Sequence, residues 1–509
     1  MNLRRIFDFS IFTFKKEEKK KAWIALSLVF LLAIFLRLYK LGQQSLIADE
    51  FLGMNISYGY FQTGEWKFWD FNKERLTEEF YTRAKVYYWQ VAQIWNWLSL
   101  GEGHARLVSV VWGLGGILLI YGVVYYFSRN WRWAILAAFF LTVSPSALTF
   151  DRKLRMYSMF APIFFAFSLS LFFLLETQAQ RIPAWLRKIQ TKTGLNWLWW
   201  PVVFVLGFLS LSTHLLTVNI FPIVLTYLLI SAIRKYFLEK KIFNRYVGYL
   251  LVMLGVLILA IQNKEIYDSL NFFSWVSNWS YFEKVIFDYS HPLLAISFLA
   301  LGMYYIIKNF SQWGLWIATN FLVILFLAAF VWKRNAGLQY LYFITPFRII
   351  IFSGGVYFLV DFLSRKVFPD HKRAFWGAIF FSWLLLPNWG FFLSPEGFYQ
   401  NIKNWKNPNY REVYGYYIKN RATDAAIISR PLASYYLNGS HSAVLEYSGD
   451  NPLTLDKILE AQNNHSEIWA IFSKDTYIKK EAEKYIQENF QLIKTLYTND
   501  TLYLYVWRR

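Results

Sequence analysis

Residues 105–127 have the sequence ARLVSVVWGLGGILLIYGVVYYF, in which Arg106 is the single charged residue. A helix needs about 20 predominantly apolar residues to cross the hydrocarbon layer of a bilayer, so this segment can be one span. Other stretches along the chain come close to the same criterion. The eleven predicted spans are residues 22–38, 105–127, 133–150, 157–175, 197–213, 216–233, 247–262, 291–307, 313–331, 340–360 and 374–393. The sequence therefore predicts a polytopic α-helical membrane protein.

The composition of the 509-residue chain agrees with this interpretation. Apolar residues make up 56% of the chain and charged residues 17%, against about 25% charged in a typical soluble protein. This excludes a disordered protein and argues against an ordinary soluble enzyme. The net charge of +20 fits cytoplasmic loops that collect Lys and Arg, so we predict no nucleic-acid partner. The chain has no Cys, which excludes disulfides and Cys-ligated zinc.

Basic residues are concentrated in alternate loops, which predicts the orientation of the spans. The N-terminal segment and alternate loops after it are rich in Lys and Arg, except for the short loop at Lys308, which is a weak member of the set, and all are expected to be cytoplasmic. These loops are residues 129–132, 181–192, 234–245 and 365–373. No small-residue cleavage pattern follows the first apolar run, so we expect a retained signal anchor. The intervening loops then face outward.

Three domains are predicted from this pattern. Residues 1–21 form a basic cytoplasmic N-terminus, residues 22–393 form the transmembrane domain with a first outward loop at 40–103, and residues 394–509 form an extracytoplasmic domain. In this last part short apolar runs alternate with helical patterns, which predicts a small α/β fold. It has no Gly-rich phosphate loop and no obvious Ser/His/Asp set, so we predict a lid or an acceptor-handling module.

Asp49 and Glu50 directly follow the first predicted span. A carboxylate close to hydrocarbon is costly unless it has a task or a partner. Adjacent side chains on an irregular segment point in different directions, so at most one of the two faces a given substrate. We predict Asp49 as a general base, with Glu50 as the alternative. The other interpretation is a solvated helix cap. The pair could also hold a divalent cation, Mg²⁺ or Mn²⁺, together with substrate phosphates.

A second charged stretch, FDRKLRMY at residues 150–157, lies at the predicted outward junction of the third and fourth spans. Its cations Arg152, Lys153 and Arg155 run against the positive-inside bias and so require an anionic partner. Arg has a planar fork that matches phosphate oxygens, which predicts a bound lipid phosphate. Alternatively, these cations contact phospholipid headgroups or pair with carboxylates of the first outward loop.

Residues 80–98 combine aromatic and aliphatic side chains with the cations Arg83 and Lys85. Such a segment suits a helix in the membrane interface, with its apolar side toward the lipid. A helix packed on the other spans is the alternative. In either arrangement Arg83 and Lys85 are candidate phosphate ligands on the outward side.

Three further residues are weaker candidates. Lys333 and Arg334 lie in the predicted outward loop before the tenth span, and His214 lies in the short turn between the fifth and sixth spans. A single His at such a turn is more often a satisfied interface residue than a ligand. The sequence contains no His/Asp/Glu cluster with convincing metal spacing.

At these residues the chain resembles the membrane glycosyltransferases of the GT-C class. The similarity is to the group around the dolichyl-phosphate-mannose protein mannosyltransferases and the bacterial aminoarabinose transferase, and it is best over residues 35–175. An outward α/β tail after the hydrophobic helices adds to it. The matching motifs are Asp49-Glu50, the segment Gly103–Ser109 at the start of span two, Ser144-Pro145, and Arg152-x-x-Arg155-Met156-Tyr157-Ser158.

The resemblance implies a sugar donor carried on a polyprenyl phosphate, a site on the outer face of a cell membrane, and an inverting single displacement. The acceptor would be a lipid, a protein or a glycan. The resemblance also implies that Asp49 is the base, that Glu50 is its neighbour in the motif, and that Arg152, Arg155 and Tyr157 hold or shape the donor pocket.

The chain departs from the family pattern at two places. Lys85-Val86-Tyr87-Tyr88 lacks the prolines found in many relatives, and Gln339–Tyr342 lacks the Arg that often precedes a late span. Lys333 or Arg334 would then replace that late phosphate contact.

Two competing hypotheses belong to other functional classes. A polytopic lipid or saccharide transporter without transferase activity would place charged or Gly/Pro-broken positions near the bilayer midplane. Spans two, eight and nine show no midplane acid or base, which favours the transferase. A non-enzymatic envelope protein would instead use its folded tail to bind a partner and would leave Asp49 and Arg155 dispensable.

Overall fold

The computed structural model describes residues 16–179, 182–262, 275–333, 337–367, 371–394, 409–429, 431–447, 451–472, 477–496 and 502–509. The chain divides into two compact units. The first unit comprises Met1–Arg37, Val110–Asp151 and Met156–Asn388, and the second comprises Leu38–Ser109, Arg152–Arg155 and Trp389–Arg509. The first predicted outward loop and the C-terminal region thus belong to the same unit. The division into three domains stays a prediction.

Helices dominate the first unit, and the second unit is mixed. In chain order the helices are α1 (Lys16–Leu38), α2 (Ala48–Thr63), α3 (Lys85–Ile94), α4 (Glu102–Ala105), α5 (Leu107–Ser128), α6 (Trp131–Thr142), α7 (Pro145–Asp151), α8 (Tyr157–Glu176), α9 (Ala184–Thr193), α10 (Trp200–Thr213), α11 (Ile220–Glu239), α12 (Arg245–Ile261), α13 (Ser280–Ile286), α14 (Pro292–Phe330), α15 (Leu338–Leu341), α16 (Thr345–Val367), α17 (His371–Leu385), α18 (Trp389–Leu393), α19 (Tyr410–Asn420), α20 (Leu455–Asn464) and α21 (Lys480–Asn489). The strands are β1 (Lys67–Asp70), β2 (Arg75–Phe80), β3 (Ala426–Ser429), β4 (Ala443–Glu446), β5 (Glu467–Phe472), β6 (Gln491–Leu496) and β7 (Leu502–Arg508).

The first unit contains the helices that can cross a membrane. Among the described residues, six helical stretches are long and apolar enough to do so, or up to eight if each of two bent pairs counts as one span. On α10, Phe204 and Phe208 are 68% and 63% exposed, as expected of side chains that face lipid. The structure therefore confirms a polytopic helical membrane fold. The count of eleven spans stays a prediction.

The long helical segment α14 reverses direction at Ser311. The φ of Ser311 is 39°, in the left-handed region. A Cβ at Gly314 would overlap the carbonyl oxygen of Ile306, although eight residues of straight helix would separate the two by about 12 Å. The chain therefore folds back on itself here. The break lies between the predicted spans 291–307 and 313–331.

Glycines allow the first half of α14 to approach α16 closely. A Cβ at Gly302 would overlap the carbonyl oxygen of Ile351, and one at Gly355 would overlap the carbonyl oxygen of Phe298. Small residues at such crossings bring helix backbones together, and dispersion then stabilises the pair in a membrane where apolar burial contributes little. These two contacts fix α14 against α16.

The second unit contains a five-stranded sheet with the strand order β4-β3-β5-β7-β6. β3 is parallel to β4 and β5, whereas β7 is antiparallel to β5 and β6. Ile458 of α20 and Ile486 of α21 pack with Ile428 and Ile468 of the sheet to form a buried core. This confirms the predicted α/β fold of the C-terminal region. The same unit contains α2, α3 and the hairpin β1–β2.

We expect Gly302→Ala to lower the free energy of unfolding by about 1–3 kcal/mol, because the new methyl group would overlap the Ile351 carbonyl. Gly115→Ala in α5 is the matched control, since nothing lies within 4 Å of its Cβ position. Thermal unfolding in detergent measures both effects. Equal melting temperatures for the two variants would contradict the close crossing of α14 and α16.

Candidate active site

The two adjacent carboxylates lie in the first turn of α2 and point in different directions. Successive residues of a helix are about 100° apart around its axis, so Asp49 and Glu50 cannot face the same side. The side chain of Glu50 is 1% exposed, whereas that of Asp49 is 57% exposed. Acidic residues are favoured at this end of a helix by its dipole. The two positions therefore have different environments although they are neighbours in sequence.

Glu50 forms a buried, two-pronged ion pair with Arg106. Nε of Arg106 donates to Oε1 of Glu50 at 2.8 Å, and an Nη of Arg106 donates to Oε2 at 2.8 Å. The backbone N–H of Ile47 also donates to Oε2, at 3.2 Å, which ties the carboxylate to the start of its own helix. Both charges are 1% exposed, so such a pair is stable only when its remaining polar groups are satisfied.

The remaining donors of Arg106 satisfy that condition. Besides its two bonds to Glu50, the guanidinium donates to the carbonyl oxygens of Leu41, Gln44 and Ser45, at 2.9, 2.8 and 3.2 Å. All five N–H donors of the side chain are thus used. Arg106 therefore holds the loop before α2 and α2 itself in one fixed arrangement.

Glu50 also anchors the short basic segment Arg152–Arg155. The N–H of Leu154 donates to Oε1 of Glu50 at 2.7 Å, and Oγ of Ser109 donates to the carbonyl oxygen of Lys153 at 2.6 Å. A Cβ at Gly53 would lie 3.0 Å from Cγ of Leu154, so a glycine here lets α2 approach this segment. The two charged motifs found in the sequence are therefore neighbours.

Asp49 and Arg155 form the open part of this cluster. An Nη of Arg155 lies 3.4 Å from Oδ2 of Asp49, and the other Nη donates to the backbone carbonyl oxygen of Asp49 at 3.0 Å. The side chain of Arg155 is 12% exposed. A carboxylate and a guanidinium thus meet at the surface of the second unit, beside the buried pair of Glu50 and Arg106.

The surroundings lower the pKa of Glu50 and that of Lys153. Burial alone would raise the pKa of Glu50, but the charge and hydrogen bonds of Arg106 and the N–H of Leu154 outweigh it, and the pKa lies below its ordinary value. Burial lowers the pKa of Lys153, and the nearby carboxylate of Glu50 opposes this shift. Glu50 is therefore held ionised and fully paired, which makes it a poor acceptor for a further proton.

The structure places the other predicted site residues as follows. Arg152 is buried in the same segment, with 3% exposure. Arg83 and Lys85 are exposed before and at the start of α3, where Nζ of Lys85 lies 5.7 Å from the ring centroid of Trp66. All three belong to the second unit, as do Asp49 and Arg155.

Tyr157 and His214 belong to the first unit. Tyr157 begins α8, and its ring centroid lies 5.4 Å from that of His214. Nδ1 of His214 accepts a hydrogen bond from the N–H of Leu216 at 3.0 Å, so this nitrogen is used within its own turn. Lys333 is exposed after α14, and Arg334 lies outside the described residues.

Two further charged residues of the first unit were not assigned from the sequence. Nε of Arg37 in α1 donates to Oδ2 of Asp151 at 2.9 Å, and the hydroxyl of Tyr342 donates to Oδ1 of Asp151 at 2.8 Å. Arg37 is 0% exposed and Asp151 is 1% exposed. A single Arg near the end of the first apolar run is the signal that could have identified this buried pair. Arg106, at the start of the second span, gave the same signal.

The residues present do not fit a metal ion shared by Asp49 and Glu50. Both oxygens of Glu50 already accept hydrogen bonds from Arg106, Leu154 and Ile47. Within the described part of the chain, no three His, Asp or Glu side chains are grouped as metal ligands.

We expect Glu50→Gln to lower the free energy of unfolding at pH 7 by about 3–5 kcal/mol, because it leaves the Arg106 charge buried without its partner. The lowered pKa of Glu50 means that its contribution to stability is present above the unfolded-state value of about 4.3 and is lost as the pH falls through the folded-state value. Thermal unfolding from pH 7 to pH 3 should show this loss in the wild type and a smaller one in Glu50→Gln.

Glu65→Gln is the control for this measurement, because Glu65 is 53% exposed in its pair with Lys67. Loss of this exposed ion pair should lower the free energy of unfolding by about 0–1 kcal/mol. If the two variants showed the same melting temperature and pH profile, the buried pair would not contribute as described.

Comparison with known proteins extends this description. No protein-family model matches the sequence, and no curated protein matches it by sequence. Solved structures do match. ArnT from Cupriavidus metallidurans bound to undecaprenyl phosphate is 11% identical, with 94% of this chain and 97% of that chain covered and a TM-score of 0.54.

The oligosaccharyltransferase of Archaeoglobus fulgidus is a second structural match. Its apo form is 9% identical, with 89% of this chain and 69% of that chain covered and a TM-score of 0.61. Its complex with an inhibitory peptide and a dolichol-phosphate is also 9% identical, with 90% of this chain and 70% of that chain covered and a TM-score of 0.53. The chain therefore has the fold of the GT-C membrane glycosyltransferases, as its motifs predicted.

Proposed function

We propose that the protein is a glycosyltransferase that moves a sugar from a polyprenyl-phosphate-linked donor to a lipid, protein or glycan acceptor. The shared fold supports this, since ArnT has been solved with undecaprenyl phosphate and the archaeal oligosaccharyltransferase with a dolichol-phosphate. A donor of this kind stays in the bilayer, so its phosphate lies at headgroup depth. The basic alternate loops favour a site on the extracytoplasmic face of a cell membrane.

The observation that carries the proposal is the different environment of the two neighbouring carboxylates. Glu50 is buried and paired with Arg106, whereas Asp49 is exposed beside the guanidinium of Arg155. A general base must reach the proton that it removes, and Asp49 can do this while Glu50 cannot. We therefore assign the base to Asp49 and a structural role to Glu50.

The proposed reaction is a single in-line displacement. The acceptor hydroxyl oxygen attacks the anomeric carbon of the sugar, and its proton passes to the carboxylate of Asp49. The bond from the anomeric carbon to the phosphate oxygen breaks, and its electron pair leaves with the polyprenyl phosphate. Configuration at the anomeric carbon is inverted. Holding the acceptor beside Asp49 supplies part of the rate by orientation.

Arg155 is the proposed ligand of the leaving phosphate. Negative charge develops on the phosphate as the sugar leaves, and a fixed cation whose contact strengthens during this step lowers the barrier. Arg155 pairs with Asp49 at 3.4 Å, so a bound phosphate would compete with that carboxylate and release it toward the acceptor. Arg152 and Lys153, in the same segment, add positive charge to the site.

The first test is transfer from polyprenyl-phosphate sugars by the purified, reconstituted full chain. We expect Asp49→Asn to lower kcat by about 10²-fold or more, because a general base contributes about 10²–10⁴-fold. Arg155→Ala should lower kcat as well. Glu65→Gln, remote from this role, is the matched control and should retain wild-type turnover.

The Glu50→Gln variant, where it folds, should keep measurable sugar transfer. This result would separate the structural role of Glu50 from the role of Asp49 as the base. If instead Asp49→Asn stayed active and Glu50→Gln lost all transfer while folded, the assignment of the base would be wrong. Movement of the lipid across the bilayer without sugar transfer would support the transporter hypothesis.

We expect a chelator to leave turnover unchanged in the same assay, because the proposed reaction uses Arg155 as the phosphate ligand and Glu50 is not available as a second carboxylate ligand. Adding back Mg²⁺ or Mn²⁺ is the control for nonspecific effects of the chelator. A loss of activity that either ion restores would contradict the metal-free reaction.

A further inference from the structure

Tyr436 connects the C-terminal region to the loop that precedes α2. It lies in the 3-10 helix Pro431–Leu437. Its hydroxyl accepts a hydrogen bond from the N–H of Leu46 at 2.7 Å and donates one to Oε1 of Glu102 at 2.9 Å. Leu46 is buried and lies three residues before Asp49. A buried N–H without an acceptor is unfavourable, so this hydroxyl fixes the backbone there.

Arg411 completes this contact from α19. Its Nε and one Nη donate to the two carboxylate oxygens of Glu102, at 3.0 and 2.6 Å, and the same Nη donates to the carbonyl oxygen of Gly42 at 2.8 Å. The side chain of Glu102 is 11% exposed. Arg411 and Tyr436 therefore share Glu102 and hold the loop at Gly42 and at Leu46.

The ring of Tyr436 also packs against the first turn of α2. Phe51, directly after Glu50, is 2% exposed and meets Tyr436 edge-on at 5.5 Å and Tyr410 edge-on at 5.7 Å between ring centroids. Such aromatic pairs add to the energy of apolar burial. The C-terminal region thus contacts the helix turn that contains Asp49 as well as the loop before it.

The loop is therefore held from two sides. Arg106 binds the carbonyl oxygens of Leu41, Gln44 and Ser45, whereas the C-terminal region binds Gly42 and Leu46. The side chain of Asp49 is itself exposed, so its position depends on the backbone of this turn. Burial and the negative charge of Glu102 raise the pKa of Tyr436 well above its ordinary value, so the hydroxyl keeps its proton.

We propose that Tyr436 is a positioning residue, which fixes the N-terminal turn of α2 and thereby holds the carboxylate of Asp49 where it meets the acceptor. Arg411 acts with it through Glu102. This inference rests on the proposed function, since it gives the C-terminal region a part in the same reaction. A small displacement of a reacting group lowers the rate of the chemical step without weakening donor binding.

The test compares Tyr436→Phe with Tyr435→Phe in the full chain. Tyr435 is the adjacent tyrosine, whose ring packs edge-on against Phe71 at 5.2 Å, so this control also removes one hydroxyl from the same 3-10 helix. Amide hydrogen exchange of residues 42–52 measures loop order without any assumption about activity. Steady-state transfer from a polyprenyl-phosphate sugar gives kcat and KM.

We expect Tyr436→Phe to exchange about tenfold faster at Leu46, which corresponds to the loss of about one net hydrogen bond. Its kcat should fall about tenfold or more while the KM for the donor stays unchanged, and Tyr435→Phe should match the wild type. Arg411→Lys should give the same pattern, because Lys cannot make two parallel bonds to Glu102.

If Tyr436→Phe exchanged at the wild-type rate at residues 42–52 while the wild-type chain showed transfer, the positioning role alone would be overturned. Equal loss in Tyr435→Phe would also overturn it, because the effect would then not depend on the bonds of the Tyr436 hydroxyl to Leu46 and Glu102. Absence of transfer by the wild-type chain would overturn the proposed function, whatever the exchange rates are.

Discussion

The buried ion pair between Glu50 and Arg106 is the constraint on which the candidate site depends. Taking two charges out of water is costly, and the cost is offset here because every donor of Arg106 has an acceptor and both oxygens of Glu50 are used. Since those partners come from the loop before α2 and from Leu154, one interaction aligns separate parts of the chain. Asp49 and Arg155 meet because of it.

The two neighbouring carboxylates have different environments because successive residues of a helix point about 100° apart. Glu50 is buried and keeps its charge through Arg106, which suits the structural role proposed for it and not proton transfer. The side chain of Asp49 is 57% exposed, and one of its oxygens, Oδ2, lies 3.4 Å from an Nη of Arg155. The same difference in direction argues against a metal ion shared by the two carboxylates, since both oxygens of Glu50 already accept hydrogen bonds.

The sequence predicted the class of fold and the two charged motifs because charge next to long apolar runs is rare and costly. It could not decide between Asp49 and Glu50, because that depends on Arg106, whose contact spans 56 positions and exists only in the folded chain. The contact between Tyr436 and Glu102 spans 334 positions, and no local pattern marks it. The ring contact between Tyr157 and His214 spans 57 positions and likewise has no local pattern in the sequence.

The proposed function requires that Asp49 and Arg155 face one bound donor while Glu50 stays paired with Arg106. A cryo-EM map of the full chain with polyprenyl phosphate tests it most directly. We expect the phosphate density against the guanidinium of Arg155, the carboxylate of Asp49 turned toward the bound headgroup, and the Glu50–Arg106 pair unchanged. Phosphate density away from Arg155, or Glu50 released from Arg106 and facing the ligand, would contradict the account.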